Sequence, residues 1–261
     1  MAALSRPVSA TAGGLAPASA AHALCLARRE GRRVPSTLLQ PASRAEAYAI
    51  QDATLAAIGP AGGWKVGARA PGHEPTCAPL PAEGLLPDGV RLQGPAWRLR
   101  GIEAEIGFQL GTDLPPRPTP YTLADVAGAV ESVLPVIEIV ETRLADWFGA
   151  DANALLADLL SHGALVLGRR QPFAPAWFDL RRAEAAVHFD GQTVARTVGG
   201  HPSPNAGALL VWLANHCAAR DGGLKAGQIV TSGSCTGMLF ASAGTAVRVE
   251  IGELAPVALS F

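Results

Sequence analysis

Arg100-Gly-Ile-Glu-Ala-Glu-Ile-Gly-Phe-Gln-Leu110 alternates between apolar and polar residues. Ile102, Ala104, Ile106, Phe108 and Leu110 fall on one face of a strand, and Glu103, Glu105, Gly107 and Gln109 on the other. Two carboxylates two residues apart on one strand project side by side. They repel each other, and inside a cleft at least one pKa would rise. A divalent cation removes that conflict. Taken alone, the stretch also reads as an ordinary amphipathic strand with one wet face.

The rest of the chain narrows the choice. At 261 residues it is long enough for a full core and for one large domain with a smaller attachment. With 49% apolar residues and a net charge of −1, it reads as neither a disordered chain nor a nucleic-acid binder. No apolar run reaches the ~18–20 residues needed to span a bilayer. The start, MAALSRPVSATAGGLAPASAAHAL, is broken by Gly and Pro and lacks an apolar core behind a basic end. It does not read as a signal peptide, and residues 1–14 read as a loose tail. Cys25, Cys77, Cys217 and Cys235 form no CxxC pair, which fits reduced thiols in a cytoplasm and no metal–thiolate site. Of 21 basic residues only Lys65 and Lys225 are lysine. A desolvated lysine can lose its proton near neutral pH and an arginine cannot, so both positions invite scrutiny.

Periodicity predicts an α+β chain, with a mainly helical lobe over residues 1–68 and a β-rich domain over 69–261. A helix is expected over Ala18–Arg29, stopped at Gly31, and a second from Ser43 to Gly59-Pro60, with Ser43 as N-cap and Glu46 completing a capping box. Gly63-Trp-Lys-Val-Gly67 then sets Lys65 in a short apolar strand, either partly desolvated for proton transfer or snorkelling at an edge. Residues 69–98, rich in Pro and Gly, read as a loop with one short strand, a candidate lid; His73, Glu74, Glu83 and Asp88 there read as surface residues. A helix capped by Thr122 precedes the β-branched run Val133–Arg143, which holds Glu138 between Ile137 and Ile139. A carboxylate so placed needs a cation, a donor set or a metal. Glu141 and Arg143 are expected to pair. His162 follows a helix over Ala152–Leu160 and reads either as a site residue or as a satisfied core histidine. Ala185–Phe189 and Gln192–Val198 flank Asp190-Gly191 as a hairpin, and a helix over Ala208–Arg220 follows. The strand from Ile229 runs into Thr231-Ser-Gly-Ser-Cys-Thr-Gly237, which lacks the GK[ST] of a phosphate loop.

Together these pieces suggest chemistry. Glu103, Glu105 and Glu138 form a candidate all-oxygen site suited to Mg²⁺ or Mn²⁺ rather than zinc. Such an ion can chelate a 2-oxo acid and stabilise the enolate formed when a neighbouring proton leaves. Lys65 would move protons. Ser234 and Thr236 would hold the carboxylate or a water.

The motifs GWKVGA, IEAEIGF, VIEIVETR and LKAGQIVTSGSCTG, in this order, resemble the 2-keto-4-pentenoate hydratase family, which includes 4-oxalocrotonate decarboxylase and lies within the fumarylacetoacetate hydrolase superfamily. The likeness covers about residues 40–261. It implies a helical N-terminal lobe on a mixed β-roll, a metal held at Glu103, Glu105 and Glu138, an acid/base role for Lys65, and commonly a homo-oligomer. The implied reaction is hydration of a 2-hydroxy-2,4-dienoate to a 4-hydroxy-2-oxo acid, in degradation of aromatic compounds. Ketonisation through the metal enolate precedes addition of water. Two positions depart from the family. Ala82 in Pro81-Ala-Glu-Gly84 stands where an acid/base Asp is expected, leaving Glu83 or Asp88 as substitutes. Asp158-Leu159 and Ser161-His162 replace an Asp-Asn and a small Ser/Gly stretch. Glu83 and His162 are therefore candidate proton-handling residues, and Ser161 a candidate substrate contact. A decarboxylase, an acylpyruvate C–C hydrolase using His162 or Glu83, and an impaired partner subunit in a hetero-oligomer are the alternatives.

Overall fold

The computed structural model describes residues 14–68 and 72–261, so nearly all of the expected N-terminal tail lies outside the described residues. In chain order the elements are α1 (Pro17–Glu30), α2 (Arg44–Ile58), β1 (Ala61–Gly67), β2 (Thr76–Pro81), β3 (Leu85–Pro87), β4 (Val90–Arg91), β5 (Gly101–Leu110), α3 (Leu123–Ala129), β6 (Val130–Val140), α4 (Ala152–Ala157), β7 (His162–Leu167), β8 (Gln171–Pro172), β9 (Glu184–Phe189), β10 (Gln192–Val198), α5 (Ala206–Arg220), β11 (Ile229–Ser234), β12 (Leu239–Phe240), β13 (Ala246–Ile251) and β14 (Val257–Ser260).

Local chemistry sets the ends of the helices. Gly31, at φ +60°, closes α1 in the left-handed conformation that a Cβ disfavours. The Ser43 hydroxyl accepts the Glu46 N–H at 3.2 Å, and the Glu46 carboxylate takes the Ala42 N–H at 2.7 Å. Thr122 and Asp125 form a full capping box on α3. Asp190 and Gly191, at φ +50° and +80°, make the tight turn that joins β9 to β10, as their sequence predicts.

The large sheet runs β2-β1-β11-β5-β6-β7-β3, with β12 on β5 and β8 on β6. Pairing is antiparallel except at β1–β11 and β3–β7. A second sheet runs β10-β9-β13-β14-β4. Mixed sheets with helices attached are the α+β arrangement expected. The apolar residues of β5, with Ile137 and Ile139 of β6, are buried in the main core together with Val247, Val249 and Val257 of the second sheet. Each such side chain contributes about 1.5–3 kcal/mol when fully buried. The opposite face of β5 and β6 carries the glutamates.

The residues read as a helical lobe hold α1 and α2, which pack on each other, but they also hold β1, a strand of the large sheet. The loop expected over 69–98 is more ordered than its Pro and Gly content suggests. Cys77, Ala78 and Leu80 are fully buried on β2 because they pair with β1. The expected Glu141–Arg143 pair does not form. Glu141 turns to Arg33 at 3.2 Å, and Arg143 to Asp158 at 2.5 Å.

Candidate active site

Strand register brings the carboxylates together. Glu103 on β5 lies directly opposite Glu138 on β6, and Glu105 follows two residues along on the same face. One oxygen from each lies within 4.8 Å of the others. On the far side of β5, β11 places Ser234 opposite Glu105 and Thr231 opposite Gly107. Lys65 on β1 is in register with Thr231. The sheet curls enough that Lys65 Nζ, from a strand three places away from β6, reaches Glu138 Oε1 at 2.5 Å. Close strand approach requires glycine at Gly63, where a Cβ would lie 2.2 Å from the Ile229 carbonyl oxygen. Gly233, at φ +114°, lets β11 bulge and point its N–H at Glu105 Oε2, 3.2 Å away.

The electrostatics follow from burial and crowding. Glu103 is pushed up to about 7, by desolvation first and then by the Glu138 charge. Glu105 is pushed up to about 8, by desolvation and then by Glu138 and Glu103. Glu138 is also desolvated, yet Lys65 and His162 hold it ionised, well below the usual carboxylate range. Burial works against the Lys65 ammonium, but Glu138, Glu103 and Glu105 outweigh it and raise its pKa. Neutralising those carboxylates would remove the field that keeps Lys65 protonated while its burial remained.

Glu138 Oε1 takes both Lys65 and His162, the latter at 3.2 Å. Glu138 Oε2 is buried with no hydrogen-bond partner among the described residues. That orphan oxygen, beside two carboxylates with raised pKa values, is an acceptor set that fits a hard divalent cation.

A cleft of about 460 Å³ opens over this cluster, lined among others by Lys65, Glu103, Glu105, Leu160, Gly233 and Ser234. Leu159, Leu160 and Ser161 follow α4 with φ of +51°, +51° and +59°. Left-handed backbone costs about 1–2 kcal/mol per non-glycine residue, so the turn must be held from outside. Arg143 holds it, donating to Asp158 Oδ1 at 2.5 Å and to the Asp158 and His162 carbonyls at 2.6 and 2.7 Å. The turn in consequence offers the Leu160 carbonyl to Lys65 Nζ at 3.3 Å.

Other sequence candidates are dispersed. His162 is fully buried and faces Glu138 rather than the cleft; desolvation first, and then the charges of Arg28 and Lys65, push it down to about 4, so it is neutral at pH 7. It bonds Glu138 and does not line the cleft. Ser161 is buried and accepts the Trp147 Nε1 hydrogen bond at 2.9 Å. Thr236 is half-buried, donates to the Gly237 carbonyl, and does not line the cleft. Glu83 is exposed and lines other pockets, because the short turn after β2 aims it away from Lys65. Asp88 lies in the turn between β3 and β4 and accepts the Ala258 N–H. Conversely, His73, Glu74, Arg44 and Asn153 line the cleft, and Arg44 pairs with Glu74 at 2.6 Å. These carried no sequence signal; polar residues in a loop or at a helix start look the same wherever the chain folds them.

The raised carboxylates make a pH prediction. Unfolded, they ionise near 4.5; in the metal-free fold Glu103 and Glu105 keep their protons to about 7 and about 8. Their stabilising contribution is therefore full below pH 4.5 and lost as pH rises through 7–8. A divalent cation competes with those protons, so its affinity should rise over the same window. Calorimetry with Mg²⁺ in buffers of different ionisation enthalpy should show proton release; no release at pH 6–7 would contradict the assignment.

The sequence profile of the fumarylacetoacetate (FAA) hydrolase C-terminal family matches residues 53–260. A 2-hydroxyhexa-2,4-dienoate hydratase from Comamonas testosteroni is 33% identical over 163 residues, covering 61% of this chain and 59% of that protein. The chain thus spans less than two thirds of that relative in the alignment. A 2-keto-4-pentenoate hydratase from Dechloromonas aromatica is 28% identical over 260 residues, 95% of this chain and 98% of the relative. Among solved structures, 4-oxalocrotonate decarboxylase from Pseudomonas putida G7, complexed with magnesium and adipate, superposes with a TM-score of 0.81 at 22% identity, covering 94% of this chain and 97% of that one. With most of its length matched by the family profile, the chain belongs to the fumarylacetoacetate hydrolase family.

Proposed function

We propose that the protein is a lyase, a metal-dependent hydratase of 2-hydroxy-2,4-dienoates of the 2-keto-4-pentenoate type, in degradation of aromatic compounds. The observation that carries the reading is the cluster of Glu103, Glu105 and Glu138 within 4.8 Å, of which Glu103 and Glu105 line a cleft and Glu138 bonds a half-buried lysine. The names of the hydratase relatives and the magnesium in the decarboxylase structure support it. Mg²⁺ or Mn²⁺ bound there would take the substrate carboxylate and 2-oxo oxygens and stabilise the negative charge that develops as a neighbouring proton leaves.

The chain's own groups do the rest. Lys65, desolvated and held by Glu138 and the Leu160 carbonyl, is placed to deliver and accept protons. The Ser234 hydroxyl at the cleft wall would contact the substrate. His162 keeps Glu138 turned toward Lys65. Changing Lys65 to Met should lower turnover by about 10²–10⁴-fold. Cation affinity should survive, because the three carboxylates remain. Loss of Mg²⁺ binding together with activity would instead make Lys65 a structural counter-ion.

One observation favours decarboxylation as the second reading. Ala82 and Glu83 leave the cleft without a carboxylate from their loop, and Glu74, its other acidic residue, is paired with Arg44. Loss of an acid/base group would hurt water addition more than a decarboxylation, whose C–C cleavage releases CO₂ and leaves the electron pair as the same enolate-type charge. The deciding experiment is a UV assay with Mg²⁺ or Mn²⁺ on 2-hydroxypenta-2,4-dienoate and 4-oxalocrotonate, with product identification. Formation of a 4-hydroxy-2-oxo acid supports the hydratase, CO₂ release supports the decarboxylase, and silence on both with metal bound removes both. The four free cysteines support a reducing, cytoplasmic location, and the exposed Phe148, Val198 and Phe240 support a homo-oligomer.

A further inference from the structure

A second pocket of about 240 Å³ shares no lining residue with the cleft. Five arginines line it, Arg28, Arg32, Arg33, Arg98 and Arg143, in a chain whose net charge is −1. Two carboxylates face them, Glu83 and Glu141. Glu141 is already committed. Its Oε2 accepts the backbone N–H groups of Arg98, Leu99 and Arg100 at 2.8, 2.7 and 3.3 Å, and its Oε1 takes Arg33 at 3.2 Å.

Arg32 pairs with Glu30 at 3.0 Å, and the four remaining arginines outnumber Glu83, Glu141 and Asp158. Arg143 is occupied by Asp158 and by main-chain carbonyls. Arg28 donates to the carbonyls of His162 and Gly163 at 3.3 and 2.7 Å, and no carboxylate bonds to it among the described residues. Desolvation, and next the Arg143 charge, push Arg28 down to about 10, against the opposing charges of Asp158 and Glu83. Arg33 Nε is buried without a partner among the described residues. Among the described residues Arg98 makes a single side-chain hydrogen bond, from Nε to the Pro95 carbonyl.

The remaining wall is apolar. Ala27, Leu86, Trp97 and Ala164 line the same pocket. Forked donors beside an indole and aliphatic carbons suit an anionic head on an apolar body, and a planar carboxylate meets a guanidinium in two parallel hydrogen bonds. Inorganic phosphate satisfies the charge but leaves the apolar wall uncovered. We infer that this pocket is a second binding site, which takes a small carboxylate with an apolar body, its head at Arg33 and Arg98 and its body against Trp97. This inference is independent of the reading of the cleft.

The test is calorimetric titration of the full chain with benzoate, alongside the tryptophan emission. The wild type and Lys65→Met should bind benzoate equally, and Arg33→Ala/Arg98→Ala should weaken binding at least tenfold. The emission change should vanish in Trp97→Phe. Should the double variant fold poorly, Arg98→Ala alone, an exposed position, should still weaken binding several-fold. Undiminished binding in the arginine variants overturns the proposal. So does loss of binding in Lys65→Met, which would place benzoate in the cleft, or equal competition by phosphate, which would mean a bare charge patch. A changed subunit number in the double variant on size exclusion would also overturn it, making the pocket a contact between copies.

Discussion

Glu138→Ala is expected to abolish divalent-cation binding and to lower turnover by about 10³-fold or more, the scale of losing a charge-stabilising group at the reacting centre. The residue supplies the orphan oxygen Oε2 and, through Oε1, anchors both Lys65 and His162. The fold should survive, because two effects oppose each other. Removing Glu138 takes away the nearest partner of a half-buried lysine, which in a fully buried pair would cost about 3–5 kcal/mol. It also relieves the repulsion that raises Glu103 and Glu105, and those two remain to balance Lys65. The check is Mg²⁺ calorimetry with circular dichroism on the same sample. Normal cation affinity in the variant would mean that β5 and β6 carry no more than a wet polar face.

Arg143→Ala should do the reverse, removing the fold before the chemistry. Arg143 is buried, pairs with the buried Asp158, and donates to the carbonyls of Glu141, Asp158 and His162. No other cation pairs with Asp158 among the described residues, so the relief available at Glu138 is absent here. Breaking such a pair costs about 3–5 kcal/mol, and each stranded buried carbonyl adds about 1–3 kcal/mol. Against a usual total of about 5–15 kcal/mol, the left-handed turn over 159–161 and much of the cooperative transition should be lost. Arg143→Lys should recover little, since a point charge cannot replace a planar fork with several donors. Urea unfolding measures the effect. A midpoint corresponding to a change of about 0.5 kcal/mol or less, the range of ordinary surface substitutions, would contradict the role assigned to Arg143.

Taken alone, Arg143 reads as the end of a strand with an acidic neighbour two residues back. Its real partner, Asp158, lies in the turn after α4, and pairing them requires the chain to come back on itself. Glu83 misled for the same reason: its loop has the right spacing from Lys65, but the short turn after β2 aims it into the arginine pocket. His73 and Glu74 reach the cleft from a loop whose sequence carries no periodic signal, and Arg44 from the start of α2, where the cap marks the helix but not its neighbours.

What the sequence determined is what depends on short range. Alternation along 102–110 settled which face of β5 is core, because strand side chains alternate strictly and apolar ones must be buried. Caps at Ser43 and Thr122, the stop at Gly31 and the turn at Asp190-Gly191 were legible because each is satisfied within four residues. The candidate ligands Glu103, Glu105 and Glu138 were legible as carboxylates set in apolar strands, which need a partner. Only the tertiary structure decided which partners they met. Register set Glu103 opposite Glu138, the curl of the sheet brought Lys65 to Glu138, and the strained turn at 159–161 closed the wall behind them. Those outcomes depend on long-range packing, and the free energy that selects them is spread over the whole buried core.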